Sequence, residues 1–179
     1  LESGYRILVV DDASPDGTGD IADSLSGDRV AVLHRSQKSG LGPAYAAGFA
    51  AALSGGASIV CEMDADFSHD PADLPRLIAA VDGGADVAIG SRYVPGGGVE
   101  DWPLHRRALS RGGNLYAASM LGWGVKDMTS GFRAYSAGAI DVLRPGGAQA
   151  SGYGFQIEMT WRAMRSGLTI VEVPITFRD

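Results

Sequence analysis

Positive charge, cysteine and long hydrophobic runs are all scarce in this sequence, and each shortage excludes a class of protein. The formal net charge is −6, with 15 Lys and Arg against 21 Asp and Glu, so we expect no nucleic-acid partner, which would need a basic surface. The single cysteine, Cys61, excludes an internal disulfide framework. The longest apolar run, residues 44–53, is too short to span a bilayer.

Two well-known phosphate-binding motifs are also missing. There is no G-x-x-x-x-G-K-[ST] segment and no G-x-G-x-x-G segment after a strand, which disfavours the usual ATPase and dinucleotide-binding proteins. The positions of His34, His69 and His105 give no Ser-His-Asp arrangement. We expect these histidines at the surface or in loops rather than as ligands, with His69, which adjoins acidic residues, as the one to test.

Apolar runs alternate with helical segments over the first ninety residues, and this alternation predicts an α/β fold. Such a pattern gives a mostly parallel sheet with helices on both faces, and 179 residues are the length of one domain. The predicted strands are 6–10, 30–33, the run that starts at Ser58, and 86–90; the predicted helices are 18–26, 43–53 and 71–81. A Gly-rich loop, helices near 104–121, 137–143 and 153–165, and strands ending near 135 and 177 follow.

Charged residues follow three of these predicted strands. Asp12 ends the first, Asp64 and Asp66 end the third, and Arg92 ends the fourth. The carboxyl ends of strands in an open α/β sheet face one crevice. A lone D-x-D would usually be a solvated turn, but the presence of Asp12 and Arg92 at other strand ends favours a ligand-binding site. Carboxylates that hold a divalent cation, beside an arginine, suit a diphosphate.

Five motifs, in this order, resemble the polyprenol (dolichol) monophosphomannose synthases of the GT-A, family 2 glycosyltransferases. They are V-V-D-D-A-S-P-D-G-T at 9–18, M-D-A-D-F-S-H at 63–69, G-S-R-Y at 90–93, D-M-T-S-G-F-R at 127–133 and G-F-Q-I-E-M at 154–159. The resemblance covers essentially the whole chain. The first motif and the D-x-D are shared widely across family 2, whereas the D-A-D-x-S-H form and the T-S-G-F-R segment are more specific.

The resemblance implies a GT-A, Rossmann-like fold and an enzyme, a polyprenyl-phosphate β-D-mannosyltransferase. The reaction implied is transfer of mannose from GDP-mannose to a polyprenyl phosphate lipid with inversion, aided by Mg²⁺ or Mn²⁺. It also implies a location at the cytoplasmic face of a membrane, with anchoring by a domain or subunit outside this chain. The membrane is implied by the substrate alone, because we identify no transmembrane helix and no basic amphipathic anchor in the sequence.

The resemblance further implies roles for particular residues. Asp66 and Ser68 would hold the metal, and Asp66, Arg92 and Asp127 are the predicted catalytic residues. The residues expected to bind donor or acceptor are Val10, Asp12, Asp64, Ala65, Asp66, Arg92, Arg107 and Arg111. Of these, Val10 and Asp12 would contact the nucleoside, and Arg107 and Arg111 would lie, with Asp127, at the acceptor phosphate and sugar. The arginine-rich helix could also be an ordinary solvated basic face.

Two alternatives stay open at this point. One is a family 2 transferase with another donor sugar or a hydroxyl acceptor, and the other is a non-catalytic nucleotide-sugar-binding module. Two family segments are missing, a first strand with a P-T-Y-N-E-like end and an R…G-x-S-K segment expected beyond Asp179. We therefore expect a single catalytic domain over residues 1–179 that is truncated at both ends.

Overall fold

A computed structural model of the chain describes residues 4–100, 102–122, 124–150 and 152–178, without the side chains of Arg107 and Tyr153. In chain order, its elements are β1 (Ile7–Asp11), α1 (Thr18–Ser24), β2 (Val30–His34), α2 (Leu41–Ser54), β3 (Ile59–Glu62), α3 (Leu74–Asp82), β4 (Val87–Ser91), β5 (Gly98–Val99), α4 (Leu104–Leu121), β6 (Arg133–Ser136), α5 (Ala137–Leu143), α6 (Tyr153–Arg165), β7 (Ile170–Pro174) and β8 (Thr176–Phe177). The predicted alternation of strands and helices is confirmed.

The central sheet has four strands in the order β3-β6-β4-β7. β4 and β7 are parallel, but β6 runs antiparallel to both β3 and β4. Two further parallel pairs, β1 with β2 and β5 with β8, are separate in hydrogen bonding. The sheet is thus more mixed than predicted. The chain between β4 and β6 starts and finishes at the same edge of the sheet, so β6 must run antiparallel to β4.

This reversal decides which residues meet. Arg133, the first residue of β6, lies opposite Glu62 of β3 and Ile89 of β4. Residues that precede β6 therefore lie at the same sheet edge as residues that follow β3 and β4. Both polar segments noted in the sequence, 63–69 and 127–133, are brought to this edge.

The core lies on both faces of the sheet, because successive strand residues point to opposite sides. On one face Val87 and Ile89 pack with side chains of α2, α5 and α6. On the other face Ala88 packs with Leu77 of α3 and with Phe132. Helices on both faces are what the sequence predicted.

β1 and β3 have unpaired edges within the described ranges, since β1 pairs with β2 and β3 pairs with β6. The amide of Ile7 donates to Arg29 O at 2.7 Å, so the alternate residues Leu8 and Val10 turn their peptide groups away from β2. Helix α2 packs on both β1 and β3. Within the described ranges, no further strand pairs at either of these edges.

Helix α3 is entered through a capped turn. Asp70 accepts a hydrogen bond from Ala72 N at 2.9 Å, and Pro71 follows it, as predicted for an N-cap and a first helical residue. The segment begins with a 3-10 turn, so α3 proper starts at Leu74 instead of Pro71. Over the described residues, no helix combines the length and the apolarity that crossing a bilayer requires.

Candidate functional site

The D-x-D segment is a turn directly after β3. Asp64 Oδ1 accepts a hydrogen bond from the Tyr45 hydroxyl of α2 at 2.6 Å, and Asp66 Oδ1 accepts one from Ser68 N at 3.0 Å. Phe67, the residue after Asp66, has φ 65° and is 94% exposed. The two carboxylates thus have different partners, a tyrosine of α2 for Asp64 and a backbone amide of the turn itself for Asp66.

Asp66 and its neighbours combine a charged oxygen with two unpartnered polar atoms. Burial raises the pKa of Asp66, but its interactions with Ser68 outweigh this and hold the pKa below its usual value. Ser68 Oγ and His69 Nδ1 are both buried, and neither has a hydrogen-bond partner among the described residues. These atoms are therefore candidates for contact with a bound group.

His69 lies in the loop that follows β3, and its side chain is buried. Its ring packs against Phe132, with centroids 4.9 Å apart, and edge-on against Phe177 at 5.2 Å. Burial lowers the pKa of His69, although the nearby Asp64 and Asp66 oppose that shift. The imidazole is accordingly neutral at physiological pH.

The two aspartates at the end of β1 are held by local contacts. Asp12 binds the loop before α2, accepting hydrogen bonds from Arg35 Nη1, from Ser39 N at 3.1 Å and from Gly40 N at 2.9 Å. Asp11 accepts from Ser14 N at 3.2 Å. Asp12 thus fixes the position of α2 relative to β1.

Val10 packs against α2, since a Cβ added at Gly48 would lie 3.1 Å from Val10 Cγ2. Ala65 is exposed beside the D-x-D carboxylates. The nucleoside and nucleotide roles expected for Val10, Asp12 and Ala65 stay predictions.

Arg92 and Asp127 form a buried ion pair at the end of β4. Arg92 Nε donates to Asp127 Oδ2 at 2.7 Å, Nη2 donates to Oδ1 at 2.7 Å, and the Arg92 amide donates to Oδ2 at 3.0 Å. Burial raises the pKa of Asp127, but hydrogen bonds and charge from Arg92 outweigh it and lower the pKa. The resemblance implied a phosphate-binding role for Arg92 and a separate place for Asp127 at the acceptor. In the structure the two side chains bind each other.

Aromatic rings surround the Arg92 guanidinium. Its Cζ lies 5.3 Å from the ring centroid of Tyr93, 5.8 Å from that of Trp102 and 5.5 Å from that of Phe177. Because His69 packs on the same Phe177, this ring connects the Arg92 cluster with the D-x-D turn. The two motifs therefore belong to one site.

Gly131 is a second point of contact between the two motifs. A Cβ at this position would lie 3.1 Å from Asp64 Oδ2 and 3.6 Å from the Tyr45 hydroxyl oxygen. The absence of a side chain there lets segment 127–133 approach Asp64 closely.

Helix α4 meets this site through its packed side. Asn114 Oδ1 accepts from Met128 N at 2.9 Å, and its Nδ2 donates to Thr129 Oγ1 at 3.2 Å. Thr129 Oγ1 also accepts from Arg92 Nη2 at 2.7 Å. Sequence reasoning missed Asn114, because an amide on a helix carries no signal until its partner is known.

The predicted acceptor arginines lie on the same helix. Arg111 Cζ is 5.9 Å from the ring centroid of Tyr93, whose hydroxyl lies 2.6 Å from Ser110 Oγ. Arg107 belongs to α4, but its side chain lies outside the described part of the chain. The structure thus brings Arg111 near Arg92 through Tyr93 and leaves the role of Arg107 a prediction.

A second buried acid, Glu62, was not predicted. Tyr135 donates to Glu62 Oε1 at 3.3 Å, and Arg133 Nε lies 3.7 Å from that oxygen. Burial raises the pKa of Glu62 to about 7, although the charge of Arg133 opposes the shift. Arg133 also donates to Ser130 O at 2.7 Å and to Met128 O at 2.9 Å. This network holds the segment before β6 in place. It could not be predicted, because a Glu or an Arg at a strand end does not show in the sequence which residue it will contact.

In the described ranges, no three His, Cys, Asp or Glu side chains lie together in a way that could hold a metal ion. The predicted pair, Asp66 and Ser68, offers two oxygen donors, a carboxylate and a hydroxyl.

Comparison with known proteins gives a family and two similar enzymes. Residues 2–144 match the family model for Glycosyl transferase family 2. A polyprenol monophosphomannose synthase of Mycolicibacterium smegmatis is 53% identical over 177 residues, which are 97% of this chain and 67% of that protein. An undecaprenyl-phosphate mannosyltransferase of Micrococcus luteus is 52% identical over 173 residues, which are 96% of this chain and 71% of that protein.

Solved structures show the same fold. Glucosyl-3-phosphoglycerate synthase from Mycobacterium tuberculosis, crystallised with Mn²⁺ and UDP-glucose, superposes with a TM-score of 0.68 at 22% identity. The match covers 94% of this chain but 57% of that chain. A second structure, of a mycobacterial protein, gives a TM-score of 0.70 at 20% identity over 96% of this chain and 55% of the other. The predicted GT-A-like α/β fold is confirmed.

Proposed function

The chain belongs to glycosyl transferase family 2, and we propose that it carries the catalytic site of an enzyme that transfers mannose to a polyprenyl phosphate. Two relatives at 52% and 53% identity are named for polyprenol and undecaprenyl phosphate mannosyl transfer. The observation that carries the proposal is one sheet edge that holds the D-x-D turn and the buried Arg92–Asp127 pair. This edge is where α/β sheets bind their ligands.

The donor in this proposal is GDP-mannose, bound at the ends of β1 and β3. Asp64 would face the nucleotide, and its orientation is fixed by the Tyr45 hydroxyl at 2.6 Å. Asp12 would act beside it, held by the amides of Ser39 and Gly40. The loop before α2 and the D-x-D turn are thereby set before the donor arrives, which reduces the entropic cost of binding.

A divalent cation, Mg²⁺ or Mn²⁺, fits the donor atoms near Asp66. Asp66 is ionised, and Ser68 Oγ beside it is buried without a partner among the described residues. Hard cations prefer such oxygen ligands, so Asp66 and Ser68 would hold the ion. When bound, the cation supplies neutralisation of the charge that develops on the leaving diphosphate.

The acceptor needs no general base. A phosphate monoester has a second pKa near ~6, so it is largely a dianion at neutral pH and already nucleophilic. Its oxygen would bond to the anomeric carbon of mannose while the bond from that carbon to the diphosphate breaks, with inversion and no proton to move. A hydroxyl acceptor would instead require a positioned base in contact with it.

Positive charge near the acceptor would come from α4 and Arg92. Arg92 is fixed by Asp127 and by Thr129, and Arg111 lies across Tyr93 from it. Fixed cations at this place would offset the repulsion between the acceptor phosphate and the donor diphosphate. Because the acceptor is a lipid, the reaction would take place at a membrane surface, which in this proposal is the cytoplasmic face.

The test is mannose transfer from labelled GDP-mannose to polyprenyl phosphate by the full-length enzyme. Asp66→Asn should lower transfer by about a hundredfold or more, the scale of losing one stabilising group at a transition state. Asp82→Asn, the same change at an exposed position, is the control and should leave the rate unchanged. Wild-type transfer by the Asp66 variant would overturn the metal assignment.

Donor choice separates this proposal from its alternatives. GDP-mannose, UDP-glucose and GDP-glucose would be compared as competitors, and stronger competition by UDP-glucose would indicate another donor.

Arg107→Ala should raise the KM for polyprenyl phosphate more than that for GDP-mannose. Calorimetric titration of this chain with GDP, with and without Mg²⁺, tests the non-catalytic alternative, in which binding would not depend on the metal.

A further inference from the structure

Phe67 is the most exposed large apolar side chain in the described part of the chain, with 94% of its surface open to solvent. It lies in the D-x-D turn, directly between Asp66 and Ser68, the two predicted metal residues. A single exposed apolar residue is common on protein surfaces, so its exposure alone indicates no function. The backbone of Phe67 and its place in the turn distinguish it from the other exposed apolar residues.

The backbone at Phe67 is left-handed, with φ 65°, a conformation that bulky residues rarely adopt. The residue after it is held on both sides, since Ser68 N donates to Asp66 Oδ1 at 3.0 Å and Ser68 O accepts from Arg178 N at 3.0 Å. Glycine would take this φ without strain, so the turn itself gives no reason for an aromatic side chain. Strained residues of this kind cluster at ligand-binding sites.

The same turn directs its two rings to opposite environments. The buried His69 ring packs on Phe132 and Phe177, at centroid distances of 4.9 and 5.2 Å, and thereby anchors the turn. The Phe67 ring lies in solvent, and Met63 and Ala65 before it are exposed apolar residues as well. A ring in solvent contributes no burial to the fold, which leaves contact with a ligand as its use.

The acceptor must come close to this turn in the proposed reaction. A cation at Asp66 and Ser68 would hold the donor diphosphate, and mannose is attached directly to that diphosphate. The acceptor phosphate bonds to the anomeric carbon of this mannose, and the first prenyl unit is attached to the same phosphate. The apolar chain therefore begins about one sugar and one phosphate away from the cation, beside the residue that separates its two ligands.

We propose that Phe67 binds the apolar chain of the acceptor, with its ring covering the prenyl unit next to the phosphate. Contact between ring and chain removes apolar surface of both from water, which favours binding. The nucleoside is a poorer occupant, because its expected contacts, Val10 and Asp12, lie at the end of β1. This role rests on the proposed function, and it adds a residue that recognises the lipid part of the acceptor as distinct from its phosphate.

The test compares two acceptors of the full-length enzyme in solution, without a membrane. Farnesyl phosphate carries a short prenyl chain and is used below the concentration at which it aggregates, whereas methyl phosphate carries the same reactive group and no prenyl chain. Phe67→Ser should raise the KM for farnesyl phosphate by about tenfold, because an apolar contact is lost. The rate with methyl phosphate and the KM for GDP-mannose should not change. Phe67→Leu, which keeps a large apolar side chain, should restore most of the affinity for farnesyl phosphate.

The matched control is Leu25→Ser, at a residue directly after α1 that is 64% exposed, and it should leave both KM values as in the wild type. Phe67→Gly separates binding from folding. It should melt at least as high as the wild type, because glycine relieves the left-handed backbone, and yet it should lose affinity for farnesyl phosphate as Phe67→Ser does.

Several results would overturn the role of Phe67. An unchanged KM for farnesyl phosphate in Phe67→Ser would do so, as would a raised KM for GDP-mannose, which would place the ring on the donor. A lower melting temperature of Phe67→Gly would show that the ring supports the fold. A loss seen only with acceptor embedded in vesicles would assign the ring to the bilayer. If the wild type transferred mannose to no polyprenyl phosphate, the proposed function itself would fail, and the role of Phe67 with it.

Discussion

Arg92 and Asp127 are joined by two parallel hydrogen bonds of 2.7 Å, from Nε to Oδ2 and from Nη2 to Oδ1. Such bidentate pairs fix both position and orientation. Arg92 is therefore held by the protein before any phosphate arrives, and its charge is kept inside a ring of aromatic side chains.

Asp127→Asn should destabilise the fold by about 3–5 kcal/mol, because it leaves the arginine charge buried without its counter-ion. Urea unfolding measures the change. Glu100→Gln removes the acid from an exposed pair, Arg178 Nε to Glu100 Oε2 at 3.0 Å, and should stay within about 1 kcal/mol of the wild type. Similar losses in both variants would contradict a special role for the buried pair.

Stability should also depend on pH through Glu62. The pKa of this carboxyl is raised to about 7 in the folded chain, whereas an unfolded Glu titrates near ~4.3. Glu62 therefore contributes its full stabilisation below about pH 4. This contribution is lost as pH rises to about 7, which lowers the free energy of unfolding by roughly 3 kcal/mol. Unfolding free energies between pH 4 and 8 measure this slope, and Glu62→Gln should flatten it. An unchanged slope in that variant would assign the effect to another group.

Gly97 and Gly98 should respond differently to the same substitution. A Cβ at Gly97 would lie 2.4 Å from Ser91 O, whereas a Cβ at Gly98 meets no atom within 4 Å. Gly97→Ala would thus push residue 97 away from the Ser91 carbonyl and lower the free energy of unfolding by about 1–3 kcal/mol. Gly98→Ala should be nearly neutral. Thermal unfolding of both variants decides, and equal melting temperatures would contradict the close approach.

Tyr45→Phe should disturb Asp64 without touching the metal residues. Burial raises the pKa of the Tyr45 hydroxyl, so it stays a hydrogen-bond donor, and bonds to charged groups contribute about 1.5–3 kcal/mol. We expect lower stability and several-fold weaker GDP binding in calorimetry. Tyr116→Phe, at an exposed tyrosine of α4, is the control and should change neither quantity. Unchanged GDP affinity in the Tyr45 variant would place the nucleotide elsewhere.

The sequence predicted the features that depend on neighbouring residues. Strand–helix alternation, the turn after β3 and the Asp70 cap are local, and each is confirmed. The direction of β6 was not predicted, because it depends on how far the chain travels between Ser91 and Arg133. Asn114 and Glu62 were missed for the same reason, since their partners are remote in sequence. The burial of His69 was not predicted either, because it comes from contacts with Phe132 and Phe177, which are remote in sequence.

The reversed strand β6 also constrains the order in which the chain folds. β3, α3 and β4 emerge consecutively, yet β6, made later, occupies the place between the two strands. The Tyr135–Glu62 bond joins residues 73 positions apart, and the Arg92–Asp127 bonds span 35. Contacts of such long range form slowly, and a chain in which β3 and β4 had paired directly would have to reopen. We therefore expect the sheet and the site to be completed in the same late step, so that capacity to bind the donor would report completed folding.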